Sequence, residues 1–330
     1  MRVRRPARPS HALRVFTGTA ALLLAATVGG AAAPRAAGSA SVEQDSRGPA
    51  VAQAAGAAAA SPTAAPRPQR VITLAPHLTE LVYAAGGGDR LVGTIDTSDH
   101  PAAARRVPRI GDVARLDPER LLAARPDLVI AWGDGTPKEQ LAVLRRLRLP
   151  VLEMQQHRLA DVPDSVERLG RLFGTEAVAR AEATRLRAEL DRLRARYAGR
   201  PRVRVFYQVW SAPLYTLGGS HVVTEMLGVC GADNVFAAER TSGFAVDEES
   251  VYARDPDVLV MAGSAVEVRD WRARWAARPR LRALETGAVV VADPDLVNRM
   301  GPRLVAGTAQ LCEGLDRVRA NRAAGSAAGR

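Results

Sequence analysis

Residues 116–133, LDPERLLAARPDLVIAWG, and residues 246–263, VDEESVYARDPDVLVMAG, are two ungapped copies of one pattern set 130 positions apart. Asp117/Asp247, Glu119/Glu249, Ala123/Ala253, Pro126/Pro256, Asp127/Asp257 and Gly133/Gly263 are identical pairs. Self-similarity of this kind means one structural unit used twice. Each copy opens on an Asp suited to cap a helix, continues with an acidic first turn that favours the positive end of the helix dipole, and stops at Pro-Asp. A short apolar run follows, Leu128 to Ala131 or Val258 to Met261, fit for a strand buried on both faces. Each copy therefore predicts a helix feeding a parallel strand.

A second pair agrees. Thr79-Glu80-Leu81 running to Gly86 and Thr224-Glu225-Met226 running to Gly231 each follow a strand-like run, beginning near Arg70-Val71 or Arg204-Val205. Strand then helix, later helix then strand, twice over, predicts an α/β fold of two similar lobes with parallel sheets covered by helices. Between them, Val178, Leu186, Leu190, Leu193 and Tyr197 fall at helical spacing, and Gly199-Arg200-Pro201 is a stop, so one long helix is expected to join the lobes. The expected plan is an N-terminal lobe over 70–172, a connecting helix over 173–200, a C-terminal lobe over 201–320 and a disordered tail over 321–330. Two lobes on one helix leave a cleft, and parallel α/β sheets bind ligands beyond the carboxyl ends of their strands.

The residues ahead of this unit have another character. An Arg-rich start, the apolar run Val15 to Val28 and small residues through Ala33 form the three-part pattern of a secretory signal peptide over 1–33. Residues 34–69, rich in Ala, Pro, Ser and Gly, are expected to be a disordered linker. No Cys stands near the cleavage region, so a periplasmic protein without a lipid anchor is expected. Of the formal charge of +11, the first 69 residues carry eight Arg against Glu43 and Asp45, and the rest is Arg dispersed over both lobes. Nothing there gathers into a phosphate-binding stripe, and nucleic acid is not an expected partner. Export leaves Cys230 and Cys312 two readings: a disulfide, favoured for an even pair in an oxidising compartment, or two buried thiols.

The expected strand exits are Pro76-His77-Leu78, Asp96 to His100, Trp132 to Gly135, Trp210 to Tyr215 and Asp293 to Arg299. They offer aromatic rings and exposed backbone amides. The chain has no HExxH, GxSxG or phosphate-loop pattern, so a non-catalytic binding protein is expected, with an exported hydrolase using cleft His and Asp as a distant alternative. His77 and His100 lack a third ligand, and no resident metal is expected. Dipole stabilisation explains Glu119 and Glu249 singly, but their repetition on both lobes suits docking onto a two-fold symmetric partner.

RVITLAPHLTELVYAAG, DLVIAWGDG, LGVCGADNVF and GPRLVAGTAQLC resemble the landmarks of the helical-backbone (class III) binding proteins for iron chelates, haem and cobalamin, and among them the periplasmic cobalamin binders of ABC importers. The resemblance runs from Arg70 to about Arg317. It implies that Cys230 and Cys312 form the family's disulfide. It also implies that Glu119 and Glu249 dock on arginines of a two-fold permease that works with its ATPase. Asp295-Leu296-Val297-Asn298-Arg299 matches a corrin-contacting segment, Trp132 keeps a cleft tryptophan, and Tyr215 stands where the family has Phe. Thr97 occupies a tyrosine position, while Val113 and Gly243 occupy tryptophan positions, with Phe244 beside the latter and Trp210 at a glycine position. The implied ligand contacts are thus Thr97, Trp132, Trp210, Tyr215, Phe244 and residues 295–299. The implied protein is a monomer that carries cobalamin as cargo and uses no catalytic cofactor. The alternative cargo is haem or a ferric chelate, with His77, His100 or a cleft tyrosine as axial ligand.

Overall fold

The computed structural model describes residues 66–277 and 281–328; the expected signal peptide and all of the linker before residue 66 lie outside them. The first lobe runs β1 (Val71–Thr73), α1 (Pro76–Ala84), β2 (Leu91–Thr94), α2 (Pro118–Ala123), β3 (Leu128–Trp132), α3 (Lys138–Arg146), β4 (Val151–Met154) and α4 (Asp161–Phe173). Gly174, at φ 71°, takes the left-handed conformation that ends α4 and turns the chain into α5 (Glu176–Tyr197). The second lobe runs β5 (Val203–Ser211), β6 (Leu214–Leu217), α6 (Val222–Val229), β7 (Ala232–Asn234), β8 (Gly243–Ala245), α7 (Glu248–Arg254), β9 (Val258–Ala262), α8 (Ala265–Ala276), α9 (Arg282–Glu285), β10 (Val289–Ala292), α10 (Pro294–Val297) and α11 (Leu304–Ala328).

The first sheet has the order β2-β1-β3-β4 and is parallel throughout. In the second sheet, ordered β10-β9-β5-β6-β8, the β10, β9 and β5 strands are parallel, and β7 adds in parallel to the start of β5. An antiparallel extension, β6 and then β8, completes it, and β6, which folds back on β5 as a hairpin, separates β5 from α6 in the chain. The two lobes are α/β layers built alike up to that insertion. An apolar cluster runs from the first lobe through Leu186, Leu190, Leu193 and Tyr197 of α5 into the second, while Ile72, Leu74, Ile95, Ile110 and Val129 fill the other face of the first sheet.

The repeat proves to be a structural joint made twice. Asp117 accepts hydrogen bonds from the N–H groups of Glu119 (3.0 Å) and Arg120 (3.1 Å), and Asp247 accepts one from that of Ser250 (2.6 Å), capping α2 and α7. Arg125 (φ 44°) and Asp255 (φ 35°) take the left-handed conformation just past the two helices. Asp127 then accepts from the backbone N–H groups of Gln69 (2.7 Å) and Arg70 (2.9 Å), and Asp257 from that of Arg204 (2.9 Å). The Arg70 and Arg204 side chains return to the last carbonyls of α2 and α7. Each Pro-Asp turn therefore fastens a helix end, an interior strand and the start of the strand beside it.

Cys230 and Cys312 are buried and disulfide-bonded, tying the end of α6 to α11. The expectation of a disordered tail over 321–330 is corrected for 321–328, since α11 continues to Ala328; residues 329 and 330 lie outside the described residues. Arg319 donates to the carbonyls of Pro201, Cys230 and Gly231, and Arg322 pairs with Asp257 at 2.9 Å, so these side chains hold the last turns against the lobe. Ala is the best helix former, and an Ala-rich end anchored in this way stays helical. Replacing both cysteines by Ala should lower the unfolding free energy by about 2–4 kcal/mol, because the bridge closes a loop of 82 residues. Urea titration of the oxidised protein and the double variant checks this, and coincident transitions would contradict it.

Candidate functional site

In parallel α/β lobes the strand exits and the N-termini of the helices packed antiparallel to the strands lie at one edge, and here that edge is the cleft. Trp132 ends β3. Its N–H donates to Thr136 Oγ1 (3.0 Å), and its ring lies so close to Gly135 that a Cβ there would stand 1.9 Å from Trp132 Cε3. The glycine-rich turn is thus needed to lay the half-buried indole against the lobe. On the second lobe, Trp210 near the end of β5 is 54 % exposed, its indole N–H donating to the Ala212 carbonyl at 3.1 Å. Trp210 pairs directly with Tyr215 in the β5–β6 hairpin, and paired residues share a face, so these two side chains leave the sheet on one side.

Phe244 does not join them. Its register partner is Thr216, whereas Tyr215 pairs with Ala245, so alternation sends Phe244 to the opposite face. There it meets Phe236 edge-on, with centroids 5.6 Å apart, and packs against the core. The expectation of Phe244 as a cleft aromatic is corrected accordingly. Thr97 is exposed in the turn after β2. That turn is held by a buried chain of hydroxyls, in which Ser98 bonds Thr94 (2.7 Å) and Thr79 (3.1 Å), and Thr79 bonds Thr73 (2.7 Å).

The 295–299 segment divides by direction. Val297 is fully buried, and Leu296 packs against the core. The Asn298 amide sits between the Tyr207 hydroxyl, which donates to its Oδ1 (3.0 Å), and the Ala262 carbonyl (3.3 Å). These three residues fix the segment, while Asp295 and Arg299 reach the cleft. Arg299 pairs with Asp295 and, on the other lobe, with Asp99, both at 2.7 Å, and stands 3.9 Å from Glu80. Partial burial works to raise the Asp99 pKa, but the hydrogen bond and charge of Arg299 hold it below the ordinary carboxylate value.

Two further lobe-crossing contacts were not anticipated. Glu80 on α1, 3 % exposed, receives a two-pronged hydrogen bond from Arg303 (2.7 and 3.0 Å) just ahead of α11. Glu225 on α6 accepts from the backbone N–H of Leu159 (2.7 Å) and lies 3.4 Å from Arg194 of α5. The Thr-Glu repeat was the available signal, since both glutamates belong to it. Beside the first pair, between α1, α5 and α11, is a cavity of about 500 Å³ lined in part by Tyr83, His100, Glu182 and Arg185. A smaller one, about 160 Å³, lies at the cleft floor among His77, Val113, Trp132, Asn298, Arg299 and Met300. His77 meets the Trp132 ring edge-on at 5.2 Å; burial, then the charge of Arg299, lowers its pKa to about 3. His221, whose Nδ1 caps α6 by accepting from Val223 N–H, is lowered to about 4 by burial and then by His157.

Glu119 and Glu249 are exposed in the first turns of α2 and α7, and among the described residues neither carboxylate has a side-chain partner. Glu248, next to one of them, is paired with Arg274 at 3.3 Å. The residues left unpaired are thus the ones at equivalent places on the two lobes.

The Periplasmic binding protein family profile matches residues 71–296. A vitamin B12-binding protein of Vibrio parahaemolyticus is 33 % identical over 254 residues, 77 % of this chain and 92 % of that one. The crystal structure of the periplasmic vitamin B12 binding protein of Vibrio cholerae is similar with a TM-score of 0.69 and 32 % identity, covering 77 % of this chain and 98 % of that one. A periplasmic heme binding protein from Pseudomonas aeruginosa is similar with a TM-score of 0.65 and 28 % identity, over 74 % of this chain and 91 % of that one.

His77 and His221 stay neutral in the folded protein, whereas in the unfolded chain they protonate near pH 6.5. As pH falls from about 6.5 toward 4, the unfolded chain takes up two protons that the folded one refuses. Stability should therefore be full above pH 6.5 and decline below it by about 1.4 kcal/mol per pH unit for each imidazole. Urea unfolding at pH 7.5 and 5.0 should show a larger loss for the wild type than for His77→Phe/His221→Asn, in which the Asn can still cap α6. Equal losses would rule out these two histidines as the cause.

Proposed function

Since this chain belongs to the periplasmic binding protein family, we propose that it captures a cobalamin in the cleft between its lobes and delivers it to a two-fold symmetric ABC permease worked by an ATPase. The observation that carries this reading is the cleft itself: Trp132 on one lobe and the Trp210–Tyr215 pair on the other, with Asp295 and Arg299 between. Aromatic walls suit the broad faces and apolar edges of a macrocycle, and a carboxylate beside a guanidinium suits its carboxamide arms, which both donate and accept. Capture of this kind needs no proton transfer and no covalent step. The vitamin B12-binding relatives support the cargo, and they match nearly the whole of the described chain.

A haem or ferric-chelate cargo is the second reading, favoured by the likeness to the Pseudomonas heme binding protein and by the neutral imidazole of His77. The charges argue against it. Haem presents carboxylates, and the cleft cation, Arg299, is already held by Asp99 and Asp295. For delivery, the two exposed glutamates at repeat-equivalent positions suit arginines on a permease with a two-fold axis. The receptor would work as a monomer in the periplasm, since a second copy across the cleft would cover both docking points.

Titration calorimetry should show cyanocobalamin binding at micromolar or lower concentration, and Trp132→Ala should weaken it about tenfold or more through lost stacking. A wild type that takes haem and ignores cyanocobalamin would transfer the assignment to the second reading. Glu119→Ala combined with Glu249→Ala should keep cobalamin affinity within about twofold while weakening association with the purified permease in nanodiscs. Unchanged association would remove the docking role.

A further inference from the structure

The cavity between α1, α5 and the start of α11 has no part in the reading given so far. At about 500 Å³ it lies within the roughly 300–1,000 Å³ of small-molecule sites, and it sits where such sites concentrate, at the boundary of two lobes. The first lobe supplies Tyr83, Ala84, His100 and Pro101, the spine helix supplies Leu186, and the second lobe supplies Pro302, Val305 and Ala306. Glu80 and Arg303, the buried pair that crosses between the lobes, are also part of the lining. The cavity at the cleft floor is a separate space, and the two share no lining residue.

The chemistry of the lining says what can fill it. Each of its carboxylates is already matched: Arg303 donates to both oxygens of Glu80 (2.7 and 3.0 Å), Arg185 to both of Glu182 (2.7 and 2.8 Å), and Arg192 to Glu189 (2.8 Å). Outside the lining, Asp89 and Arg106 act on Tyr83 in opposite senses. A charged ligand would find no unmatched counter-charge here and would exchange water for an apolar wall, whereas a neutral one meets neither penalty. Two polar groups remain uncommitted. The Tyr83 hydroxyl and the His100 ring belong to residues with solvent-accessible surface, and among the described residues neither side chain has a hydrogen-bond partner. The Tyr83 ring is packed directly on Gly88, where a Cβ would stand 2.3 Å from Tyr83 Cδ1, so its place in the wall is fixed. With His100 and the flat faces of Pro101 and Pro302, it suits a planar ring, and Leu186, Val305 and Ala306 complete an apolar bed.

We propose that this cavity is a second ligand site, separate from the cleft, and that it takes a small neutral aromatic molecule with a hydrogen-bonding group, such as an indole or a phenol. Its walls come from both lobes and from the helix that joins them, so the complete site exists only while the lobes keep their present relation. A ligand bound there adds to the Glu80–Arg303 contact and stabilises that relation by mass action. The site does not depend on which cargo the cleft carries.

The test uses indole, indole-3-acetate and tryptamine, which share one ring system and differ in charge. Titration calorimetry should show indole saturating a single site on wild type with a Kd of about 1 mM or tighter. The anion and the cation should each bind about tenfold or more weakly. The thermal unfolding midpoint, followed by circular dichroism, should rise with indole concentration. Ala306→Trp fills the cavity from an exposed position in the first turn of α11 and should abolish indole binding; Ala84→Leu, a smaller filling from α1, replaces it if that variant does not fold. Wild type loaded with cyanocobalamin should bind indole as the empty protein does. No saturable indole binding, equal affinity for the three probes, binding unchanged in the filled variant, or displacement of indole by cyanocobalamin would each overturn the proposal. A wild type that binds no cobalamin removes the cargo reading alone, and the probe series on the empty protein and on the filled variant still decides this one.

Discussion

Glu80 sets the geometry of the cleft, because a carboxylate 3 % exposed is tolerable only with a partner, and its partner is on the other lobe. Removing one member of such a pair costs about 3–5 kcal/mol, a large share of a domain's stability, so the lobes part here only at the expense of the fold. Glu225 makes the complementary crossing, from the second lobe to Leu159 N–H of the first and to Arg194 of the spine helix. The two glutamates occupy matching places in the Thr-Glu repeat, and each lobe's helix thus reaches across to the other. With α5 packed between, the relation of the two lobes, and so of Trp132 on one and Trp210 on the other, is set by these contacts.

The repeat was legible in the sequence because its roles are local. Asp117, Asp127 and their counterparts act on backbone groups within the same lobe, through caps and turns that residue type and spacing announce. The partners of Glu80 and Glu225 were not legible, since Arg303 and Leu159 belong to the opposite lobe and no local pattern specifies them. Phe244 failed for another reason. Its face depends on strand register, and a one-residue offset exchanges core and cleft. The last turns of α11 share the Ala and Gly content of a disordered tail, and what makes them helix is a set of Arg contacts to distant carbonyls and to Asp257. The loop after Trp132 was readable from its Gly-Asp-Gly, and the ring lying against Gly135 accounts for the second glycine.

Arg299 stands apart from the buried crossings. It is 16 % exposed, and its partners Asp99 and Asp295 are exposed to 44 and 46 %, so water and salt screen this contact far more than that of Glu80. A ligand amide can displace either carboxylate at small cost, because the displaced group returns to water rather than to a dry interior. Ligand entry is therefore expected to loosen the rim and leave the Glu80–Arg303 pair intact, which confines lobe movement to small adjustments about α5.

That stiffness bears on delivery. Glu119 and Glu249 each sit in the first turn of a helix fastened at both ends, by an N-capping Asp and by the Pro-Asp joint to an interior strand. The helices in turn belong to lobes joined by buried charge. If docking runs through these carboxylates as proposed, their spacing is expected to change little when the cleft fills, and docking through them alone would give a permease little means to tell a loaded receptor from an empty one. Discrimination would then have to come from the exposed Asp99–Arg299–Asp295 contact, which a ligand can rearrange, and from the ligand surface left visible between the lobes.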